Sequence, residues 1–518
     1  MKDIFSILKS GKNIVTINLD NMTKDEYLML SSLQGIVAQD EARIVIITDN
    51  YQAYVDYLVA TGEYTSKEYK SVWDIVSEFK SAVFEAGYVL FDSTRGGDIN
   101  SSMVVSGVER FLAVPVSCEE KAIKLNFVKK FDFADIEGNE TQRKRKIFEL
   151  YKDRLNKGAL IHQPLFMPQL RDFAVALKLF CFYTDEHNAE DVEFRNEIFK
   201  WADDNIPVMG WTDDEIKFVA ECSEFGKFVI PMDWSSNTSF LAGVRIDKKL
   251  KQKTKPNKIK AEKGKHYLAI CVSDGDNIQW CSRNFATTST FGQRLRGKRD
   301  YKVSWTFPPY MARLGAVVTD YTFDLANEFD SFIAGVSGAG YINSTTYPIE
   351  RLDAFTNLTS QLMTESDMTA VVLLDNLKHV KFDGKFIAEE RLRHYAKQKN
   401  ISGGVWEIDP DRYESGKGEI FWSEGKPFLS VRLSLWHPSN QTGQITKEWL
   451  DGYIDAINNF EADPTSASGY TVLNIHPWTV EMEHVEYIVS KLKKHVEIVS
   501  VDEIVEIAKQ NIRLPLKR

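Results

Sequence analysis

The chain has 518 residues, 43% hydrophobic and 27% charged, which allows two to four domains with ample cores that need no staples. A formal net charge of −10 and a pI near 5.6 argue against a nucleic-acid partner, because neutralising phosphates demands an excess of Lys and Arg. Cys118, Cys181, Cys222, Cys271 and Cys281 are scattered without a Cys-x-x-Cys pair, which speaks against both a disulfide framework and a zinc knuckle.

In chain order, the start from Met1 to Lys9 lacks an apolar stretch long enough for a signal peptide. No later run approaches the roughly 18 apolar residues of a membrane span. The expectation is a soluble chain without a membrane partner, cytoplasmic as written and secreted if a leader has been removed. A helix start at Asn21-Met-Thr-Lys-Asp25 leads into apolar spacing from Tyr27 to Val37. Ala42 to Thr48 reads as a strand, and Tyr51 to Val59 returns to helical spacing. Further β-like runs are Tyr88 to Phe91, Phe111 to Val114 and Lys227 to Pro231, so residues 1–247 are expected to form two or three small parallel α/β lobes. No Gly-rich phosphate loop joins the early strand to its helix, which weakens a nucleotide-binding reading. Pro207 to Trp211 and Met232 to Asn237 end apolar segments in aromatic and hydrogen-bonding groups; each suits either a cleft or a domain interface. Lys248 to Lys265 is rich in Lys and almost free of apolar residues, and reads as a linker or long loop.

From residue 266 onward, strand-length runs stop repeatedly in polar or aromatic chemistry. His266 to Val272 ends at Ser273-Asp274-Gly275-Asp276-Asn277. Later runs end at Trp305-Thr306-Phe307-Pro308, Ser337-Gly338-Ala339-Gly340-Tyr341, Asp375-Asn376, Glu407-Ile408-Asp409, Leu435-Trp436-His437 and His476-Pro477-Trp478. In a parallel α/β barrel the strand ends meet on one face, so residues far apart in sequence converge there. The eight runs from Tyr267 to the Val496–Ser500 tract are therefore expected to close into one barrel over 266–518.

The segment from Gly338 to Pro348, with Val272 to Trp280 and Asn474-Ile-His-Pro-Trp478, resembles the GxGYxYP family. The likeness extends to Leu33-Gln-Gly-Ile-Val37 and Trp422 to Pro427. Here the Tyr-Pro element comes at Tyr347-Pro348, after an added Asn343 to Thr346. The resemblance implies a glycoside hydrolase with a C-terminal barrel of TIM type behind smaller α/β domains.

Read on their own chemistry, the strand ends supply what glycoside hydrolysis needs, two carboxyl groups flanking the scissile bond. Asp274 and Asp276 alternate to one side of an extended segment, as do Glu407 and Asp409. A like charge beside one carboxyl raises its proton affinity. The expected catalytic set is Asp274 or Asp276 opposite Glu407. The plainer alternative is an Asx turn at 274–277 and a buried Glu407 tied to Arg or Lys.

Seven of the eleven Trp follow residue 264, and Trp280, Trp305, Trp406, Trp436 and Trp478 adjoin strand ends, where flat faces suit sugar rings or fill core. Asn277, Trp280, Trp305, Tyr341, Asp375, Asp409, Trp436, His437, His476 and Trp478 are the expected substrate contacts. Gly338 and Gly340 would free Tyr341 to project toward ligand. His476 could shuttle a proton, bond a hydroxyl or serve a cation; no His-Glu-x-x-His spacing signals zinc hydrolysis. No cofactor or metal is called for by the leading reading, whose partner is an oligosaccharide or polysaccharide. Two other classes stand beside it: a metal-dependent hydrolase or deacetylase using Asp274, Asp276 and His476, and a sugar-binding protein without catalysis.

Overall fold

The computed structural model describes residues 4–48, 50–254, 256, 259–376, 384–438 and 445–513. The chain divides into two compact units, Met1–Lys248 with Met311–Tyr321, and Lys249–Tyr310 with Thr322–Arg518. Both are mixed α/β.

The first unit holds three small, wholly parallel sheets. β1 (Ser10–Asn18) lies between β2 (Ala42–Ile47) and β3 (Thr65–Tyr69); β4 (Gly87–Phe91) lies between β5 (Leu112–Pro115) and β6 (Val128–Asp132). The third sheet runs β10-β9-β7-β8, from β7 (Asn156–His162), β8 (Leu179–Phe182), β9 (Pro207–Gly210) and β10 (Phe228–Pro231). Helix Lys24–Ala38 starts in a capping box between Thr23 and Glu26, as the Asn21–Asp25 signal predicts, and buries every residue from Tyr27 on. Gly35 lets it cross the helix Arg171–Leu177 closely, since a Cβ there would fall 2.4 Å from Val175 Cβ. Asn237 completes the edge of β2: its Oδ1 accepts the Ile46 N–H at 2.7 Å and its Nδ2 donates to the Ile46 carbonyl at 2.9 Å. The Met232–Asn237 tract thus carries a packing role within its own unit. Met311–Tyr321, drawn from beyond the Lys-rich tract, joins this unit through Tyr57, which donates to Asp320 at 2.9 Å, and through Tyr321, edge-on to Tyr54 and Tyr57.

The second unit is built on one curled sheet: β11 (His266–Val272), β12 (Val303–Phe307), β13 (Asp330–Ala334), β14 (Ala370–Asn376), β15 (Gly403–Asp409), β16 (Ile420–Ser423), β17 (Lys426–Ser430), β18 (Leu433–Leu435), β19 (Tyr470–Ile475) and β20 (Val496–Val499). The order is β16-β17-β15-β14-β13-β12-β11-β19-β18, parallel throughout except at β16, with β20 paired to β11. Two details depart from the expected eight-stranded barrel. Tyr267 faces Tyr470 on one side and Glu497 on the other, so β20 lies on the β12 side of β11 instead of between β19 and β11. β17 and β18 share no ladder; the chain passes from one to the other within two residues, and Val431 N–H bonds Trp406 while Arg432 N–H bonds Val472. The stretch from Lys426 to Leu435 therefore changes partners from β15 to β19 as it runs.

Helix Val501–Asn511 shows how far the sheet curls, because it touches β11, β13, β14, β15, β17 and β19. A flat sheet could not present strands so far apart in order to one helix of three turns. Its first turn is anchored by Asp502, which accepts from Ser331 and Thr369 hydroxyls, and by Glu503, paired with Lys302 at 2.6 Å. The Lys-rich tract is partly held to this unit: Gln252 Nε2 donates to the Phe332 and Asp367 carbonyls, and its Oε1 accepts from Phe332 N–H.

Candidate functional site

The turn Ser273–Asn277 leaves β11 pinned against three neighbouring strand ends. Ser273 N–H bonds Ile475 at the end of β19, and Gly275 N–H donates to Thr306 Oγ1 at 2.8 Å at the end of β12. A Cβ on Gly275 would lie 1.9 Å from the Thr306 carbonyl oxygen, and one on Gly335, just past β13, only 3.1 Å from Asp276 N. Glycine is required at 275 for this contact. Asp274 itself sits in the left-handed region at φ 64, which Asp tolerates better than most residues. The two carboxylates are therefore held by backbone, and Asn277 Nδ2 reaches the Asp274 carbonyl and Asp276 Oδ1 at 3.3 and 3.4 Å.

Across the curl, Glu407 at the end of β15 is 2% exposed, and its Oε1 has no hydrogen-bond partner. Burial first, then the charges of Asp274, Asp276 and Asp409, hold its carboxyl well above the usual range. The alternative of an Arg or Lys tie is not what surrounds it; its electrostatic neighbours are carboxylates. Asp409 is half-buried and accepts from Tyr413 N–H at 3.4 Å.

His476, following β19, brings Nε2 to 3.7 Å from Asp274 Oδ2. Its ring stacks on Trp436, which follows β18, with centroids 3.7 Å apart and planes 5° from parallel. Burial, opposed by Asp274 and assisted by Arg412, pushes the imidazole below its ordinary value and favours the neutral ring. Asp274, Glu407, Trp436 and His476 thus come together from the carboxyl ends of four strands.

The other expected contacts differ in how deeply they are packed. Trp305 is fully buried, donating Nε1–H to Asp330 at 2.7 Å, and presents no free face. Asp375 is also fully buried and accepts from Ser344 Oγ, Thr345 N and Oγ1, and Trp406 Nε1 at 2.6–3.1 Å; it ties the loop after β13 to β15. Burial outweighs these four donors and leaves its carboxyl above the ordinary value. Tyr341 is 4% exposed and Tyr347 is wholly buried, so the 338–348 loop packs inward; a Cβ on Gly338 would strike Thr359. Trp280 is buried against Phe285, Phe291 and Trp478, whereas Trp478 is 49% exposed. His437 stacks edge-on to Trp449, and its N–H bonds Thr479 Oγ1 at 3.2 Å. Sequence reasoning missed Thr306 and Thr479, whose hydroxyls fix the two loops; the latter's spacing, three residues past His476, was the available signal.

The fold and the site define an α/β protein with acidic groups at the carboxyl ends of a curled parallel sheet, the face where such sheets place their ligands. The chain belongs to the GxGYxYP family. Residues 264–509 match the "GxGYxYP putative glycoside hydrolase C-terminal domain", 158–243 the GxGYxYP third domain and 13–81 its first domain. Among solved structures, the "putative hydrolase from Bacteroides thetaiotaomicron VPI-5482" is similar over 98% of this chain and 96% of its own, with 24% identity and a TM-score of 0.85, which speaks to the fold. A comparison with curated proteins finds no match. Among the described residues no helix is long and apolar enough to cross a membrane.

Proposed function

We propose that the protein hydrolyses a glycosidic bond with Glu407 as the protonated carboxyl and Asp274 or Asp276 as the ionised one, at the open end of a functional half-barrel of TIM type. The observation that carries this reading is Glu407: a buried carboxyl with an unpartnered oxygen, whose charged neighbours are Asp274, Asp276 and Asp409. Two carboxyl groups driven apart in proton affinity by their surroundings divide the roles of acid and of base or nucleophile. Asp274 and Asp276, pinned by backbone, supply the fixed partner. The partly exposed Trp478, lying on Trp280, offers a flat apolar face near the Asp276 turn for a sugar ring. The metal alternative asks Asp274, Asp276 and His476 to converge, and among the described residues no three such groups are placed to hold an ion.

The test is a screen of aryl glycosides and oligosaccharides, each with and without a chelator. Hydrolysis that survives the chelator supports the carboxylate reading. Activity abolished by the chelator and restored by a divalent ion would replace it with the metal reading, and binding of sugars without turnover would leave a lectin-like protein.

A further inference from the structure

Thr479, 1% exposed, places its hydroxyl among three groups. Oγ1 accepts the backbone N–H of His437 at 3.2 Å, lies 3.1 Å from His476 Nδ1, and lies 3.4 Å from the His476 carbonyl oxygen. A hydroxyl carries one proton, so it donates to the ring or to the carbonyl but not fully to both. If it donates to the carbonyl, Nδ1 must hold the imidazole proton and the bare Nε2 lone pair faces Asp274 Oδ2 at 3.7 Å. If it donates to Nδ1, the shorter contact, Nε2 carries the proton and presents N–H to that carboxylate. The first arrangement turns a lone pair toward the carboxylate; the second turns an N–H toward it. The ring is held in place for this by the parallel face of Trp436.

We propose that Thr479 is a positioning residue that holds His476 as the Nε2–H tautomer aimed at Asp274, an inference that rests on Asp274 being a working carboxylate. The tautomer matters because burial keeps the ring neutral against the pull of Asp274 and with the help of Arg412, the charged groups that face it. The N–H then faces Asp274 Oδ2 across 3.7 Å, while Glu407, ringed by carboxylates, holds its proton more tightly than an ordinary carboxyl.

The experiment labels histidine with nitrogen-15 in the full chain and reads the ring tautomer of His476 by long-range proton–nitrogen correlation at neutral pH, the signal being assigned by its loss in His476→Gln. The parent should show protonated Nε2 and bare Nδ1. Thr479→Val, which keeps shape and removes the hydroxyl, should shift the ring toward the other tautomer, and Thr479→Ser should restore it. On whichever glycoside the parent cleaves, Thr479→Val should lower kcat by roughly ten- to a hundredfold with KM little changed, and Ser should recover it. A parent ring protonated at Nδ1, or a tautomer indifferent to Thr479→Val, overturns the proposal. A parent that cleaves no glycoside defeats the functional reading alone, because the tautomer measurement decides the role of Thr479 without any substrate.

Discussion

Glu407 and Gly275 are the residues at which the site's chemistry is most exposed to test. Glu407 is held above its ordinary value of 4.5, so the folded protein binds its proton more tightly than the unfolded chain. Stability from this group is therefore fully present at low pH and is lost as pH rises toward the elevated folded value. Glu407→Gln has no such loss; relative to the parent it should gain thermal stability on going from pH 5 to pH 8, while turnover falls. Melting curves of the two proteins at both pH values check this, and a difference independent of pH would deny the shift. Gly275→Ala forces a Cβ into the Thr306 carbonyl and should destabilise by about 1–3 kcal/mol, as overpacking does, with activity lost because Asp274 and Asp276 move. Gly452→Ala in helix Lys447–Asn458, where nothing lies within 4 Å, is the control and should be neutral or stabilising. The acidic pairs were legible as residue types at strand ends. Their partners were not, since the hydroxyls of Thr306 and Thr479 act through single hydrogen bonds that leave no pattern in composition.

At the scale of elements, strands buried on both faces announce themselves, at a sheet edge or not, and exposed strands do not. β4, β5, β10 and β11 are apolar runs and were read within a residue or so of their ends. β3 and β6, with sequences Thr-Ser-Lys-Glu-Tyr and Val-Lys-Lys-Phe-Asp, are exposed edges and carry no such run. The side of β11 on which β20 pairs could not be read either, because nothing in the four residues of β20 marks one side of β11 over the other. The 338–348 loop is the converse case. Its Gly-rich, aromatic composition suggests a ligand wall, while Tyr341 and Tyr347 are buried and Ser344 and Thr345 bond Asp375. Asp375→Ala leaves those buried donors unpaired and should cost about 1–3 kcal/mol in chemical denaturation. An unchanged midpoint would show that the loop is held by other contacts.

For the molecule as a whole, the curled sheet depends on a helix supplied by the last part of the chain. Removing residues from Val501 onward takes away Asp502 and Glu503, which bond Ser331, Thr369 and Lys302 on strands or their approaches. Hydrogen exchange should then rise across the strands of the second unit while β1 to β10 of the first keep their protection. Equal loss in both units would make the chain one cooperative body. The first unit runs to Lys248, where the Lys-rich tract begins, and it also takes in Met311–Tyr321, whose apolar and aromatic residues read equally well as barrel helix.

The most direct test of the central claim is hydrolysis of the best glycoside substrate by Asp274→Asn, Asp276→Asn and the parent, with folding of each checked by its melting curve. Loss of a working carboxyl should lower turnover by about a hundredfold or more in at least one variant while the fold persists. Parental turnover in both Asn variants would contradict the carboxylate mechanism.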